Sequence, residues 1–222
     1  AGSLSLSDDS LLATSTFGKG NAGNVTINSN TFEAVDGGQI NTNTSTSGKA
    51  GNIVLKIKDK ITLSGTGQAQ TSGLFAATSA ESTGKGGSIF IDPRLVIIEN
   101  GAGVSVASLG SGDAVDISLQ ADNLQLNNGF IAAITNSTQG GNINLQLGEL
   151  LLLRNNSLIS TTAGFAQAGG DGGNITINSP FIIAVPKEDS DITANAFSGN
   201  GGNIDIKSQG IFGITPRSQL TP

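Results

Sequence analysis

The sequence predicts an all-β protein: a right-handed parallel β-helix, or solenoid, with three short strands in each coil. Three observations predict this fold. A motif spelled mostly Gly-Asn-Ile/Val-x-Ile/Leu recurs seven times along the 222 residues. Two further alternating apolar segments follow the motif at similar distances, and no segment has a helical period. Self-similarity at a period of about 20–50 residues is typical of repeat architectures.

The first predicted strand of each coil begins at an anchor, the first apolar residue after a glycine-rich break. Successive anchors lie 26 to 36 residues apart, which corresponds to about 7–8 coils of ~29 residues. Each strand should pair in parallel with its equivalent one coil away, so that the anchors form an aliphatic ladder in the core. The predicted anchors are Val25, Ile53, Ile89, Val115, Ile143, Ile175 and Ile204.

Two further strands complete each predicted coil. The second should bury apolar residues at alternate positions, namely Phe32/Ala34, Ile61/Leu63, Leu95/Ile97, Leu124/Leu126, Leu151/Leu153, Phe181/Ile183 and Ile211. The third should begin at Ile40, Ala69, Val104, Ile131, Ile159 and Ile192. The turns between them contain residues that tolerate a positive φ, such as Asp36-Gly37-Gly38.

An asparagine precedes the anchor in five of the seven coils. Stacked amides in register can form hydrogen bonds along a rod, so we interpret this row as a structural ladder. Ser88 and Ala114 interrupt it. The predicted ladder consists of Asn24, Asn52, Asn142, Asn174 and Asn203.

The length variation of the repeats is predicted to lie at the corner between the third strand and the next anchor. Its longest segments are Gln70–Gly86 and Ser160–Gly172. Because binding residues are often carried by loops on a rigid scaffold, Leu74, Phe75, Phe165 and Gln167 are candidate ligand contacts. In the alternative interpretation, Phe75 and Phe165, with Phe17 and Phe197, fold back to shield the corners.

Composition argues against several classes of protein. The formal net charge is −6, whereas nucleic-acid binders are normally basic. The chain has no Cys and no His, which leaves no usual zinc ligands, disulfides or thiol chemistry. No apolar run approaches the ~20 residues of a membrane helix. We therefore predict no cofactor, no metal, no nucleic-acid partner and no membrane insertion.

An enzymatic β-helix is the main alternative. Glycan hydrolysis needs two positioned carboxylates, and the adjacent pairs are Asp8/Asp9, Asp113/Asp116 and Glu188/Asp189. No cation recurs beside them, and Trp and Tyr are absent, so no catalytic residue is predicted. Threonine rows such as Thr42/Thr44 resemble ice-binding surfaces but do not recur in every coil.

The unit Gly-Gly-Asn-Ile-x-Ile, followed by Leu-x-Leu-x-x-Gly-x-Ile-x-Thr, resembles exoproteins of the filamentous haemagglutinin type. The segments 188–194 and 209–214 resemble its large cyanobacterial members. The resemblance implies a right-handed parallel β-helix that is secreted through an outer-membrane partner and displayed at the cell surface. Residues 1–222 would form a single rod segment of a larger exoprotein, with partial coils at both ends.

These observations predict a non-enzymatic extracellular rod segment that presents a surface for adhesion or intercellular contact. Its partner would be a cell-surface glycan or protein receptor. A carbohydrate-active enzyme or lectin, and a structural spacer without a ligand, remain alternatives. We also expect end-to-end self-association through exposed strand edges.

Overall fold

A computed structural model describes residues 2–112, 115–136, 139–164 and 169–213. Eighteen strands and no helix are found in these ranges. The strands are β1 (Ser3–Leu6), β2 (Leu11–Thr16), β3 (Val25–Val35), β4 (Gln39–Thr44), β5 (Ile53–Ser64), β6 (Gly73–Thr78), β7 (Ile89–Asp92), β8 (Leu95–Glu99), β9 (Gly103–Ser108), β10 (Ile117–Asn127), β11 (Phe130–Thr135), β12 (Ile143–Arg154), β13 (Leu158–Ala163), β14 (Ile175–Asn178), β15 (Phe181–Ala184), β16 (Asp191–Ala196), β17 (Ile204–Lys207) and β18 (Gly210–Phe212).

The strands form two parallel sheets that run along the molecule. The first sheet follows the order β1-β3-β5-β7-β10-β12-β14-β17, with β8, β15 and β18 alongside. The second sheet has seven strands in the order β16-β13-β11-β9-β6-β4-β2. Each pairing joins a strand to its equivalent in the next coil. The prediction of an all-β parallel solenoid with a repeat of about 29 residues is confirmed, and the structure has about 7 turns.

The first and second predicted strands of a coil often merge into one bent strand. Strands β3, β5, β10 and β12 have 11 or 12 residues each. Register shifts mark the bend between Ser29 and Thr31 and between Ala121 and Asn123. In the third coil Pro93 lies between β7 and β8, where it has no N–H to donate. The bend gives the first sheet a concave outer surface.

The core consists of aliphatic ladders between the sheets. Ile53, Ile89 and Ile143 are fully buried or nearly so, and they stack as predicted. The prediction of Val115 as an anchor is wrong, because Ile117 pairs with both Ile89 and Ile143.

Two second strands are shifted by one residue from the prediction. Val96 and Ile98 are buried in place of Leu95 and Ile97. Ile182 and Ala184 are buried in place of Phe181 and Ile183. Both segments contain four consecutive apolar residues, 95–98 and 181–184, so no alternation indicates which side chains face inward.

The third strand of the second coil also differs from the prediction. Leu74, not Ala69, pairs with Ile40 and with Val104. The extra residues of this coil therefore form a loop at 65–72, before β6, in which Thr66 and Thr71 form an antiparallel bridge. The segment Gln70–Gly86 is not a single corner, because β6 lies within it.

The glycine-rich corners pack too closely for a side chain. A methyl group added at Gly51 would overlap the carbonyl oxygen of Gly23, and one at Gly87 would overlap that of Gly51. Inside the corner, the hydroxyl of Thr42 donates to the Gly51 carbonyl at 2.6 Å. Thr161 does the same to Gly173 at 2.5 Å. The repeated glycines are therefore stacking positions.

Candidate functional site

The asparagine row joins neighbouring coils through main-chain donors. The side-chain oxygen of Asn24 accepts the N–H of Asn52 at 2.8 Å. The other links of the row, all at 2.9 Å, join Asn52 to Ser88, Asp116 to Asn142, Asn142 to Asn174 and Asn174 to Asn203. In each link a backbone N–H donates to a side-chain oxygen, and no link joins two side-chain amides.

Asp116 occupies the position of the asparagine in the degenerate coil. Its carboxylate accepts both the N–H and the side-chain amide of Asn142, at 2.9 and 3.0 Å. Ala114, which was predicted to interrupt the row, lies outside the described residues. One residue before its anchor, Asp116 thus supplies the side-chain oxygen acceptor that an asparagine supplies in other coils.

Of the four predicted binding residues, the structure describes Leu74 and Phe75. Leu74 is fully buried in β6 and belongs to the core ladder, so the prediction that places it in a binding loop is wrong. Phe75 is the next residue on the outer face of the second sheet and is half-buried. Phe165 and Gln167 lie outside the described residues. The side chains of Phe17 and Phe197 are 82% and 62% exposed, so they do not shield their corners.

Three threonines of the predicted rows face the interior. Thr42, Thr44 and Thr161 are buried, with at most 1% of each residue exposed. They bond corner carbonyls or pack in the core instead of forming a surface array. The resemblance to ice-binding rows therefore does not extend to the exposed surface.

A groove follows the concave bend of the first sheet, a feature that the sequence analysis missed. Its volume is about 970 Å³. Each of five successive coils contributes three consecutive residues; the first residues follow one cross-coil register, and the register shifts at the third. We call this feature the groove and define it by residues 28–30, 56–58, 92–94, 120–122 and 146–148.

The floor of the groove is mainly apolar, and its two sides are polar. The middle residue of each triplet forms the floor; the five are Ser29, Ile57, Pro93, Ala121 and Leu147. Ile57 and Leu147 are only 2% and 6% exposed. One side carries Asn28, Lys56, Asp92, Gln120 and Gln146. The other side carries Asn30, Lys58, Arg94, Asp122 and Gly148.

Cations dominate the middle of the groove. Lys56 and Lys58 are exposed on either side of buried Ile57. No ion pair of either lysine is found among the described residues. Arg94 contacts Asp122 of the next coil at 3.5 Å, and both side chains remain largely exposed. Screening by water leaves such an exposed pair weak and open to exchange with another anion.

Arg154 and Glu188 form the strongest ion pair in the described structure. The guanidinium donates from Nε and Nη2 to the two carboxylate oxygens at 2.6 and 2.7 Å. The N–H of Asn155 adds a third bond at 3.0 Å. The hydrogen bond from Arg154 lowers the pKa of Glu188, and the same bond raises the pKa of Arg154. Glu188 therefore connects two coils.

The carboxylates of the predicted pair Asp8/Asp9 diverge, and Asp113 of the pair Asp113/Asp116 lies outside the described residues. The Asp8 carboxylate accepts the hydroxyl of Ser7 at 3.0 Å. The Asp9 carboxylate instead accepts the main-chain N–H groups of Gln68 and Ala69 at 3.1 to 3.4 Å. These hydrogen bonds join the 65–72 loop to the first coil.

The groove could have been found from the sequence with the correct anchors. Its triplets begin three residues after Val25, Ile53, Ile89, Ile117 and Ile143. With Val115 as the fourth anchor, the triplet 120–122 falls out of register. The basic run at Lys56–Lys60 does not by itself indicate a groove, because its cross-coil neighbours such as Asp92 lie in another repeat.

Comparison with protein-family models, with curated proteins and with solved structures finds no match. The resemblance to the haemagglutinin type therefore stays a prediction, and the solenoid fold rests on the structure itself. No helix in the described ranges has the length and apolar character of a membrane span. Within the same ranges, no three His, Cys, Asp or Glu side chains cluster as a metal-binding group.

Proposed function

We propose that this chain is a non-enzymatic segment of a secreted, adhesin-like rod that presents its lateral surface for attachment to cells. A solenoid with regular coils is suited to this task, because it holds repeated side chains at fixed intervals along one direction. The observation that carries the proposal is the groove, in which five coils present equivalent residues to the solvent. Export would use an outer-membrane secretion partner, as the resemblance implies.

The hydrogen bonds of the carboxylates support a non-enzymatic role. Glu188 is engaged by Arg154, and Asp9 by two backbone donors. Asp116 continues the asparagine row, and Asp171 accepts the N–H of Asn200 at 2.8 Å. These acids contribute to the cohesion of the coils, and a catalytic role would require them to exchange those partners.

An attachment assay tests the proposal. Beads coated with the 222-residue protein are passed over cells whose surface polysaccharide is intact or enzymatically removed, with albumin-coated beads as the reference. The adhesin proposal expects retention above the reference. Retention equal to that of albumin would instead support a spacer. Release of reducing sugar or unsaturated product from added glycans would support an enzyme.

A further inference from the structure

The groove has the shape and the repeat of a site for a linear polymer. Strands in neighbouring coils are about 4.8 Å apart, so five coils extend about 19 Å along the rod. Every coil presents the same arrangement across the groove, with a floor residue between two flanking residues. A ligand that runs along the axis with a similar repeat would meet an equivalent set of contacts in each coil.

The chemistry of the groove matches a sugar chain. A pyranose ring has apolar C–H faces and hydroxyl groups at its edges. Ala121 is the partly exposed apolar residue at the base, Ile57 and Leu147 lie in the core beneath it, and the amide of Gln120 can donate to or accept from hydroxyls at the side. The length of one ring in an extended glycan is close to the spacing of one coil. Ligand sites commonly combine such an apolar lining with a few polar groups.

The charges of the groove favour an acidic sugar chain. Three cations and two acids line it, although the whole chain has a net charge of −6. Lys56 and Lys58 lie on opposite sides of one coil, and Arg94 follows in the next coil. Neither lysine forms an ion pair in the described structure, and Asp92 is the cross-coil partner of Lys56. A carboxylate or sulfate on a sugar would supply the missing partner and form charge-assisted hydrogen bonds.

We propose that the groove binds an extended acidic glycan along the rod axis, with anionic groups at Lys56, Lys58 and Arg94. This inference rests on the proposed adhesive function and names the class of ligand. One sugar ring occupies each coil. The affinity therefore increases with chain length until the five coils are filled, and it decreases as salt screens the exposed charges.

Calorimetric titration with oligosaccharides of matched length tests the inference. The probes are oligogalacturonate for carboxylates, heparin-derived oligosaccharides for sulfates and malto-oligosaccharides as the neutral reference. We expect the acidic probes to bind and the neutral probe to bind at least about tenfold more weakly. The stronger of the two acidic probes identifies the anionic group that the groove prefers. Equal binding of neutral and acidic probes, or no binding of either acidic probe, would overturn the inference.

A double variant with a matched control locates the site. Lys56→Gln/Lys58→Gln should weaken binding of the acidic probe at least about tenfold, since two charge-assisted contacts are lost. Lys19→Gln/Lys49→Gln removes the same two charges from exposed residues outside the groove and should retain affinity. An equal loss in both variants would indicate non-specific attraction and contradict the inference.

Chemical-shift mapping on the unmodified protein gives a readout independent of the variants. Perturbed amides should cluster in residues 28–30, 56–58, 92–94, 120–122 and 146–148. Perturbation confined to other surfaces would count against the groove. Cell attachment that persists in Lys56→Gln/Lys58→Gln would leave the adhesive function standing and refute this ligand.

Discussion

Individual glycines determine how closely neighbouring coils approach. Gly23, Gly51 and Gly87 stack in one column, in which Gly51 lies against the carbonyl group of Gly23 and Gly87 against that of Gly51. The hydroxyl of Thr42, in the interior of the coil, donates a hydrogen bond to the Gly51 carbonyl. This packing explains why the glycine before the asparagine is the most regular element of the repeat.

Replacement of Gly51 by Ala should therefore destabilise the fold. The added methyl group meets backbone atoms of Gly23, which cannot move without separating two coils. We expect a loss of roughly 1–3 kcal/mol, the usual cost of overpacking. The free energy of unfolding from urea titration measures it. Gly20→Ala is the matched control, because a methyl group there meets nothing within 4 Å, and equal losses in both variants would contradict the stacking argument.

The ion pair between Arg154 and Glu188 should make stability depend on pH. The pKa of Glu188 is lowered in the folded protein, chiefly by the hydrogen bond from Arg154. Its stabilising contribution is therefore present above the unfolded pKa of about 4.3 and is lost as the pH falls through the lower folded value.

Comparison with Glu188→Gln isolates this contribution. At pH 7 the natural protein should unfold at a higher urea concentration than the variant. As the pH falls below about 4, the two midpoints should converge, because the carboxyl of the natural protein becomes protonated. A gap that stays constant down to pH 2 would show that the charge of Glu188 is not responsible.

The 65–72 loop is the clearest case in which an element depends on a distant residue. Asp9 accepts the N–H groups of Gln68 and Ala69, and the side chain of Gln70 donates to the carbonyl oxygens of Asp9 and Gly37. The loop thus packs back along the rod over the two preceding coils. No local pattern in the loop predicts these contacts, because the partners lie 33 to 61 residues away.

Substitution of Asp9 by Ala should release the loop. We expect faster hydrogen exchange at the amides of Gln68 and Ala69, because both lose their carboxylate acceptor. Asp8→Ala is a suitable control, since Asp8 has a similar positive φ and its carboxylate accepts only the Ser7 hydroxyl among the described residues. Exchange at the two amides that is equally fast in both variants would indicate a general loss of the turn and not release of the loop.

On the scale of the whole molecule, stability depends on the packing of each coil against its two neighbours. Ile117 is fully buried and pairs with Ile89 below and Ile143 above. In a solenoid each coil contacts only its neighbours, so stability is approximately a sum of coil and interface contributions. The destabilising effect of a substitution in one coil should therefore decrease in coils farther along the rod.

The variant Ile117→Ala tests this transmission. We expect a loss of about 2–5 kcal/mol from the cavity. Hydrogen exchange measured by mass spectrometry should accelerate most in β7, β10 and β12, and least in β2 and β16. Ile134→Ala removes an outward-facing, partly exposed isoleucine and should change exchange much less. Uniform acceleration along the rod would favour one all-or-none unit.

The sequence by itself determined the fold class, the period and most inward positions. Parallel stacking pairs each residue with its equivalent one coil away, so the regularity of the repeat is also the regularity of the contacts. Ile53, Ile89 and Ile143 could be placed in this way. At Val115-Asp116-Ile117 the prediction of the anchor from the repeat failed. A shift of two residues keeps the same face inward, so both registers satisfy the local alternation.

The tertiary structure alone decided that register, the position of the 65–72 loop and the existence of the groove. Ile117 became the anchor because Asp116 accepts the N–H of Asn142 in the next coil. Lys56, Lys58 and Arg94 became one surface because the bend of the first sheet brings successive coils into line. These features depend on contacts between coils. A single repeat contains one side of each such contact, and only the stacked molecule contains both.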